Sequence, residues 1–124
     1  MNSVQEIFVF GSNLRGVHGA GAAAFAMANH GAIYGVGVGI QGQSYGIPTK
    51  DMQIRTLPLD KIKPYVDQFI GFAKAHPELV FNVTAIGCGL AGYTPADIAP
   101  MFKGSPSNCQ FDPRFMQYLE SMND

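Results

Sequence analysis

Ile7-Phe8-Val9-Phe10-Gly11-Ser12-Asn13-Leu14-Arg15-Gly16-Val17-His18-Gly19-Ala20-Gly21 is the stretch whose reading decides the fold. Four apolar residues in a row, with no polar alternation, are the pattern of a strand covered on both faces. A glycine-rich turn follows, and then the alanine-rich run Ala22 to Ala28, in a helix that is expected to start near Gly19 to Gly21 and to end at His30-Gly31. Gly31 there supplies a left-handed C-terminal cap, and His30 suits the negative end of the helix. Strand, glycine turn and helix start together direct backbone N–H groups and a helix N-terminus at a common point, the arrangement that receives a phosphate.

The same arrangement recurs near the other end of the chain. Leu79 to Ile86 reads as another buried strand, Gly87-Cys88-Gly89-Leu90-Ala91-Gly92-Tyr93 is a second glycine turn, and Thr94-Pro95-Ala96-Asp97 carries the signature of a helix start. Between the two lie short β-rich pieces, Ile33 to Ile40 and Ser44 to Ile47, with glycine alternating with Val or Ile so that another backbone or a ligand can approach closely. A long helix from Asp60 to about His76 is marked by Ile62, Tyr65, Val66, Phe69, Ile70 and Ala73 at helical spacing, with Pro64 expected in its first turn. Ser107 to Phe111 reads as a last short strand, and Asp112-Pro113 opens a terminal helix through Met122. Alternating strands and helices predict one α/β domain spanning residues 1–124, a three-layer α/β/α arrangement on a mixed, mostly parallel sheet.

Composition narrows the function classes. The chain has 124 residues, 47% of them hydrophobic, enough for one core. Only 14% are charged and the formal net charge is -1, so the basic footprint of a nucleic-acid binder is missing. No apolar run is long enough for a membrane span, and the first residues lack the basic start of a secretory signal. Two cysteines do not make a disulfide scaffold, and a cytoplasmic location is expected, in a bacterial cell or a phage-infected host. Low charge with 15 glycines suggests self-association into a homo-oligomer. The three histidines show no metal-ligand spacing, so neither a bound metal nor a cofactor is expected.

In a parallel sheet, ligands sit beyond the carboxyl ends of the strands, where both glycine turns and Pro48-Thr49-Lys50-Asp51 are expected. The candidate ligand-binding residues are Gly11, Ser12, Asn13, Gly19, Ala20, Gly21, Lys50, Gly87, Cys88, Gly89, Leu90, Ala91, Gly92 and Tyr93. Glycine amides are suited to a pyrophosphate, Lys50 to neutralising it, and Tyr45, Tyr93 or Phe111 to stacking on a base. Asn13, His18 and Asp51 are the candidate catalytic residues, the first two for ribose hydroxyls and Asp51 for a sugar or a water. Each has a plainer alternative. Asn13 is suited to capping the next helix, His18 to a solvated loop, Lys50 and Asp51 to an exposed ion pair, and Cys88 to a small buried site rather than a nucleophile.

Gly11-Ser12-Asn13-Leu14, His18 to Ala23, Gln41-Gly42-Gln43-Ser44-Tyr45, Ile47 to Asp51 and Ile86 to Tyr93 resemble a group of small bacterial and phage proteins of unassigned role. More distantly, the layout is similar to the macro domain, which binds ADP-ribose. That resemblance implies a macro-domain-like fold in which Asn13 and Gly19 to Gly21 hold the distal ribose and Ile86 to Gly92 wraps the diphosphate. The adenine-reading aspartate of that family has no counterpart ahead of Ile7, and the paired glutamates of poly(ADP-ribose) glycohydrolases are absent. The expected function is binding of ADP-ribose or a related NAD-derived nucleotide. The alternatives are an ADP-ribosyl or NAD-metabolite hydrolase on the same scaffold, another α/β nucleotide binder, and an oligomeric interaction protein with structural glycine turns.

Overall fold

The structure is a computed structural model that describes residues 5–122. It is a mixed α/β fold with five strands and four α-helices among the described residues. In chain order these are β1 (Gln5–Asn13), α1 (Gly21–Asn29), β2 (Gly39–Gln41), β3 (Ser44–Lys50), α2 (Leu59–Ala75), β4 (Leu79–Val83), α3 (Pro95–Ile98), β5 (Cys109–Phe111) and α4 (Pro113–Met122), with a 3-10 turn at Ala99–Phe102. The sheet order is β2-β3-β1-β4-β5. β1 pairs in parallel with β3 and β4, β4 pairs in parallel with β5, and only β2 is antiparallel, against β3.

Period-two alternation along β1 divides its side chains between two apolar clusters. Ile7 and Val9 join the larger cluster with Ile62, Val66, Phe69, Ile70 and Ala73 of α2, and with Ile98, Phe102 and Phe115. Phe10 joins the smaller one with Ala23 and Ala26 of α1, and Phe8 packs against it. α1 and α2 therefore cover opposite faces of β1. Phe69 anchors the larger cluster, its ring 5.4 Å from Phe81 at 85° and 5.2 Å from Tyr45 at 68°, the edge-to-face geometry that aromatic quadrupoles favour. α3 starts as its sequence indicates, because Thr94 and Asp97 form a reciprocal capping box.

Three local expectations are corrected. Ile33 to Ile40 is not a strand before Gly39. Gly37 lies so close to β1 that a Cβ there would stand 2.1 Å from the Asn13 carbonyl oxygen, and the Ser12 hydroxyl donates to the Gly37 carbonyl. The loop is thus held against the end of β1 and the first glycine turn, where the Gly35 N–H donates to the Gly16 carbonyl at 2.8 Å, rather than in a ladder. β4 ends at Val83 instead of continuing to Ile86, as Thr84 turns its hydroxyl onto the Val9 carbonyl at 2.7 Å. Pro64 falls in the second turn of α2, since that helix already begins at Leu59.

Strand order sets the position of the cleft. The chain passes from β1 to β3 on one side and returns to β4 on the other, so β1 is where the direction of winding reverses. The last β1–β4 pair is Val9 with Val83, whereas β1 stays paired with β3 as far as Asn13. The sheet splays open between β1 and β4 at their carboxyl ends, the place where open α/β sheets receive ligands.

Candidate functional site: a cleft between two glycine turns

A cleft of about 480 Å³ occupies that opening, within the roughly 300–1,000 Å³ typical of small-molecule sites. Gly11, Ser12 and Asn13 line it from the end of β1, and Val17, Gly19, Ala20, Gly21, Ala22 and Ala23 from the first turn and the start of α1. Thr84, Ala85, Gly87, Cys88, Gly89, Leu90 and Ala91 line the other wall, and Thr49, Lys50, Ile54 and Arg114 complete the rim. The two turns nearly touch. A Cβ on Gly21 would lie 3.6 Å from the Leu90 side chain, which is itself 68% exposed.

The walls are built to present backbone donors. α1 starts at Gly21 behind Ala20, which has no side-chain acceptor to cap it, so its first-turn N–H groups reach the cleft with the positive end of the helix dipole. In the second turn, Gly87 adopts φ +78, a conformation that side-chain-bearing residues rarely take. The turn is closed by Cys88 N–H on the Ala85 carbonyl, Gly92 N–H on Gly89 and Tyr93 N–H on Gly87. Among the described residues no protein group accepts from the N–H of Gly87, Gly89, Leu90 or Ala91.

Side chains order this scaffold. Asn13 accepts from the Val17 N–H at 3.0 Å and donates to the Val17 carbonyl at 2.8 Å, closing the 13–17 loop rather than capping α1. Arg114 enters from the start of α4, its guanidinium donating to both Asp112 carboxylate oxygens at 3.0 and 3.1 Å. That pair holds the Asp112 carboxyl below its ordinary value and raises the Arg114 guanidinium. Partial burial pushes the Cys88 thiol pKa up, with the Arg114 guanidinium opposing the shift.

Of the expected site residues, His18, Asp51, Gly92 and Tyr93 do not line the cleft. The His18 imidazole is fully buried edge-on to Phe10, with Nε2 3.0 Å from the Val36 carbonyl and 3.2 Å from Gln41 Oε1. Asp51 is spent on its own turn, Oδ1 accepting from the Gln53 and Arg55 N–H groups at 2.9 Å and Oδ2 from the Arg55 side chain at 3.2 Å. Tyr93 donates its hydroxyl to the Leu57 carbonyl at 2.6 Å. None of Tyr45, Tyr93 and Phe111 reaches the cleft: Tyr45 is buried in the larger cluster and the other two pack against it. The cleft is also lined by Val17, Ala22, Ala23, Thr49, Ile54, Thr84, Ala85 and Arg114, none of them among the candidate site residues. Arg114 had a signal, since Asp112-Pro113 opens a helix after a strand parallel to β4, at the edge shared by both turns. Ile54 had none.

Comparison with protein-family models, curated proteins and solved structures finds no match to this chain. Among the described residues no helix is long and apolar enough to cross a membrane.

Proposed function

We propose that the cleft binds ADP-ribose or a closely related NAD-derived nucleotide, on a three-layer, macro-domain-like α/β/α scaffold. The observation that carries this reading is the convergence of two sets of uncapped backbone donors, the α1 N-terminus and the amides of Gly87, Gly89, Leu90 and Ala91, on one cleft with Lys50 and Arg114 at its rim. Backbone N–H groups facing a helix dipole favour a polyanion, and two flanking cations add charge-assisted bonds. Small walls of glycine and alanine leave room for a diphosphate to lie against the main chain. Ser12, Thr49 and Thr84 line the cleft with hydroxyls that donate to backbone carbonyls and keep lone pairs to accept from sugar hydroxyls.

Binding is supported over hydrolysis by which residues are at the cleft. Among the described residues no Asp, Glu or His lines it, and two of the three candidate catalytic groups are committed elsewhere. Titration calorimetry with ADP-ribose tests the reading. A Cβ on Gly89 meets nothing within 4 Å, so Gly89→Val leaves the fold intact while placing a β-branched side chain beside the proposed diphosphate path. The wild type is expected to bind and Gly89→Val to lose at least tenfold in affinity. Equal affinity in a folded Gly89→Val variant, or no binding of ADP-ribose by the wild type, overturns it.

A further inference from the structure

Ile54 holds the one backbone conformation of its kind among the described residues: φ is +62, the left-handed region, in a β-branched residue. That conformation is unfavourable for isoleucine and persists only where the surroundings impose it. Here the imposing group is Asp51, whose Oδ1 accepts from the N–H groups of both Gln53 and Arg55 on either side of Ile54. The turn is pinned at its ends by the Asp51 N–H on the Arg55 carbonyl at 2.8 Å and the Leu57 N–H on the Thr49 carbonyl at 2.8 Å. It is also tied to the second glycine turn, since the Thr56 hydroxyl donates to the Ala91 carbonyl at 3.0 Å. The product of this construction is an isoleucine side chain, 37% exposed, on the rim of the cleft.

An apolar side chain kept in an unfavourable conformation and left partly in water contributes little to the core. We infer that Ile54 is the platform against which the flat face of the ligand's heterocyclic base packs, and that Asp51 is a positioning residue that sets it there. This rests on the nucleotide reading of the cleft. Among the described residues no aromatic side chain lines the cleft, so stacking between rings is not on offer and an aliphatic face is what remains for a base. Burial of an isoleucine against a base is worth roughly tenfold or more in affinity.

The test is calorimetry on the full chain with two probes, ADP-ribose, which carries a base, and inorganic pyrophosphate, which does not. Ile54→Gly and Ile54→Asn both tolerate the left-handed conformation, so each is expected to keep or raise Tm while weakening ADP-ribose at least tenfold and leaving pyrophosphate unchanged. Asp51→Ala is expected to weaken ADP-ribose in the same way, and Asp51→Asn, which retains the accepting oxygen, to restore it. Equal ADP-ribose affinity in wild type and Ile54→Gly overturns the inference alone. A parallel loss for pyrophosphate, or a fall in Tm on Ile54→Gly, also overturns it by making the side chain part of the scaffold. A wild type that binds pyrophosphate but not ADP-ribose removes the base contact together with the nucleotide reading.

Discussion

His18 illustrates how burial decides the role of a titratable side chain. Both partners of its Nε2 are carbonyl oxygens, so that nitrogen carries the proton and donates. The imidazole thereby ties the first glycine turn to the Val36 to Gln41 loop, and its edge packs on Phe10. His18→Ala removes a buried ring and one of two donors to each acceptor, since the Val36 carbonyl keeps Gln41 Nε2 and Gln41 Oε1 keeps the Ile33 N–H, and is expected to destabilise the protein by about 2–4 kcal/mol. Denaturant unfolding checks this, and ligand affinity of the folded fraction should be unchanged. Cys88 shows the converse case, a reactive group kept quiet. Burial raises its thiol pKa, and Arg114 opposes that only in part. Alkylation of Cys88 by iodoacetamide is therefore expected to be slow at pH 7 and to keep accelerating with pH beyond the ordinary thiol range. Cys109 is more strongly raised, to about 11, and should react only on unfolding. Mass spectrometry of each cysteine over a pH series separates the two, and fast Cys88 modification at neutral pH would contradict the assignment.

At the scale of elements, the start of α4 couples charge to stability. The Arg114 side chain, hydrogen-bonding Asp112, is the main cause of that carboxyl's lowered pKa. A folded-state pKa below the unfolded one means that the stabilisation is complete above the ordinary value of 3.8 and is lost as pH falls through the lower folded value. Asp112→Asn is thus expected to lower Tm slightly at pH 7, and the gap to wild type should narrow as pH falls from 3.8 through the lower folded value. Thermal melts of both proteins across that range check the sign. The elements themselves were largely legible in the sequence, because β1, α2 and the Thr94 cap each rest on local rules: an apolar run, a helical period, a hydroxyl followed by proline. Residues 33–38 were not, because their conformation is set by contact with Asn13 and Gly16, which are distant in sequence. The cleft was half legible. Parallel strands followed by glycine turns must put both turns at one edge, whereas Ile54 depends on a turn whose geometry comes from Asp51 hydrogen bonds.

For the whole molecule, the decisive question is what the cleft does to a ligand once it is held. General acid–base catalysis needs a carboxylate, imidazole or similar group within hydrogen-bond reach of the reacting atoms. Among the described residues the cleft offers hydroxyls, one amide, two cations and a thiol raised by burial, with no carboxylate or imidazole. Positioning a water beside an anomeric carbon is the remaining route, and orientation alone recovers roughly 7–11 kcal/mol of a barrier in the best intramolecular cases. Such a water would need Asn13 to direct it, yet that side chain is already engaged with Val17 on both its oxygen and its nitrogen. The protein is therefore expected to hold its ligand without turning it over. Binding should register as a thermal shift, since ligand at one hundred times its Kd adds about 2.7 kcal/mol of stability. Incubation with ADP-ribosylated protein, O-acetyl-ADP-ribose and cyclic ADP-ribose forms, followed by chromatography, should return each substrate unchanged. Turnover of any of them that is lost in a folded Asn13→Ala variant would assign the cleft to catalysis and make the Asn13 amide, released from Val17, the group that directs the water.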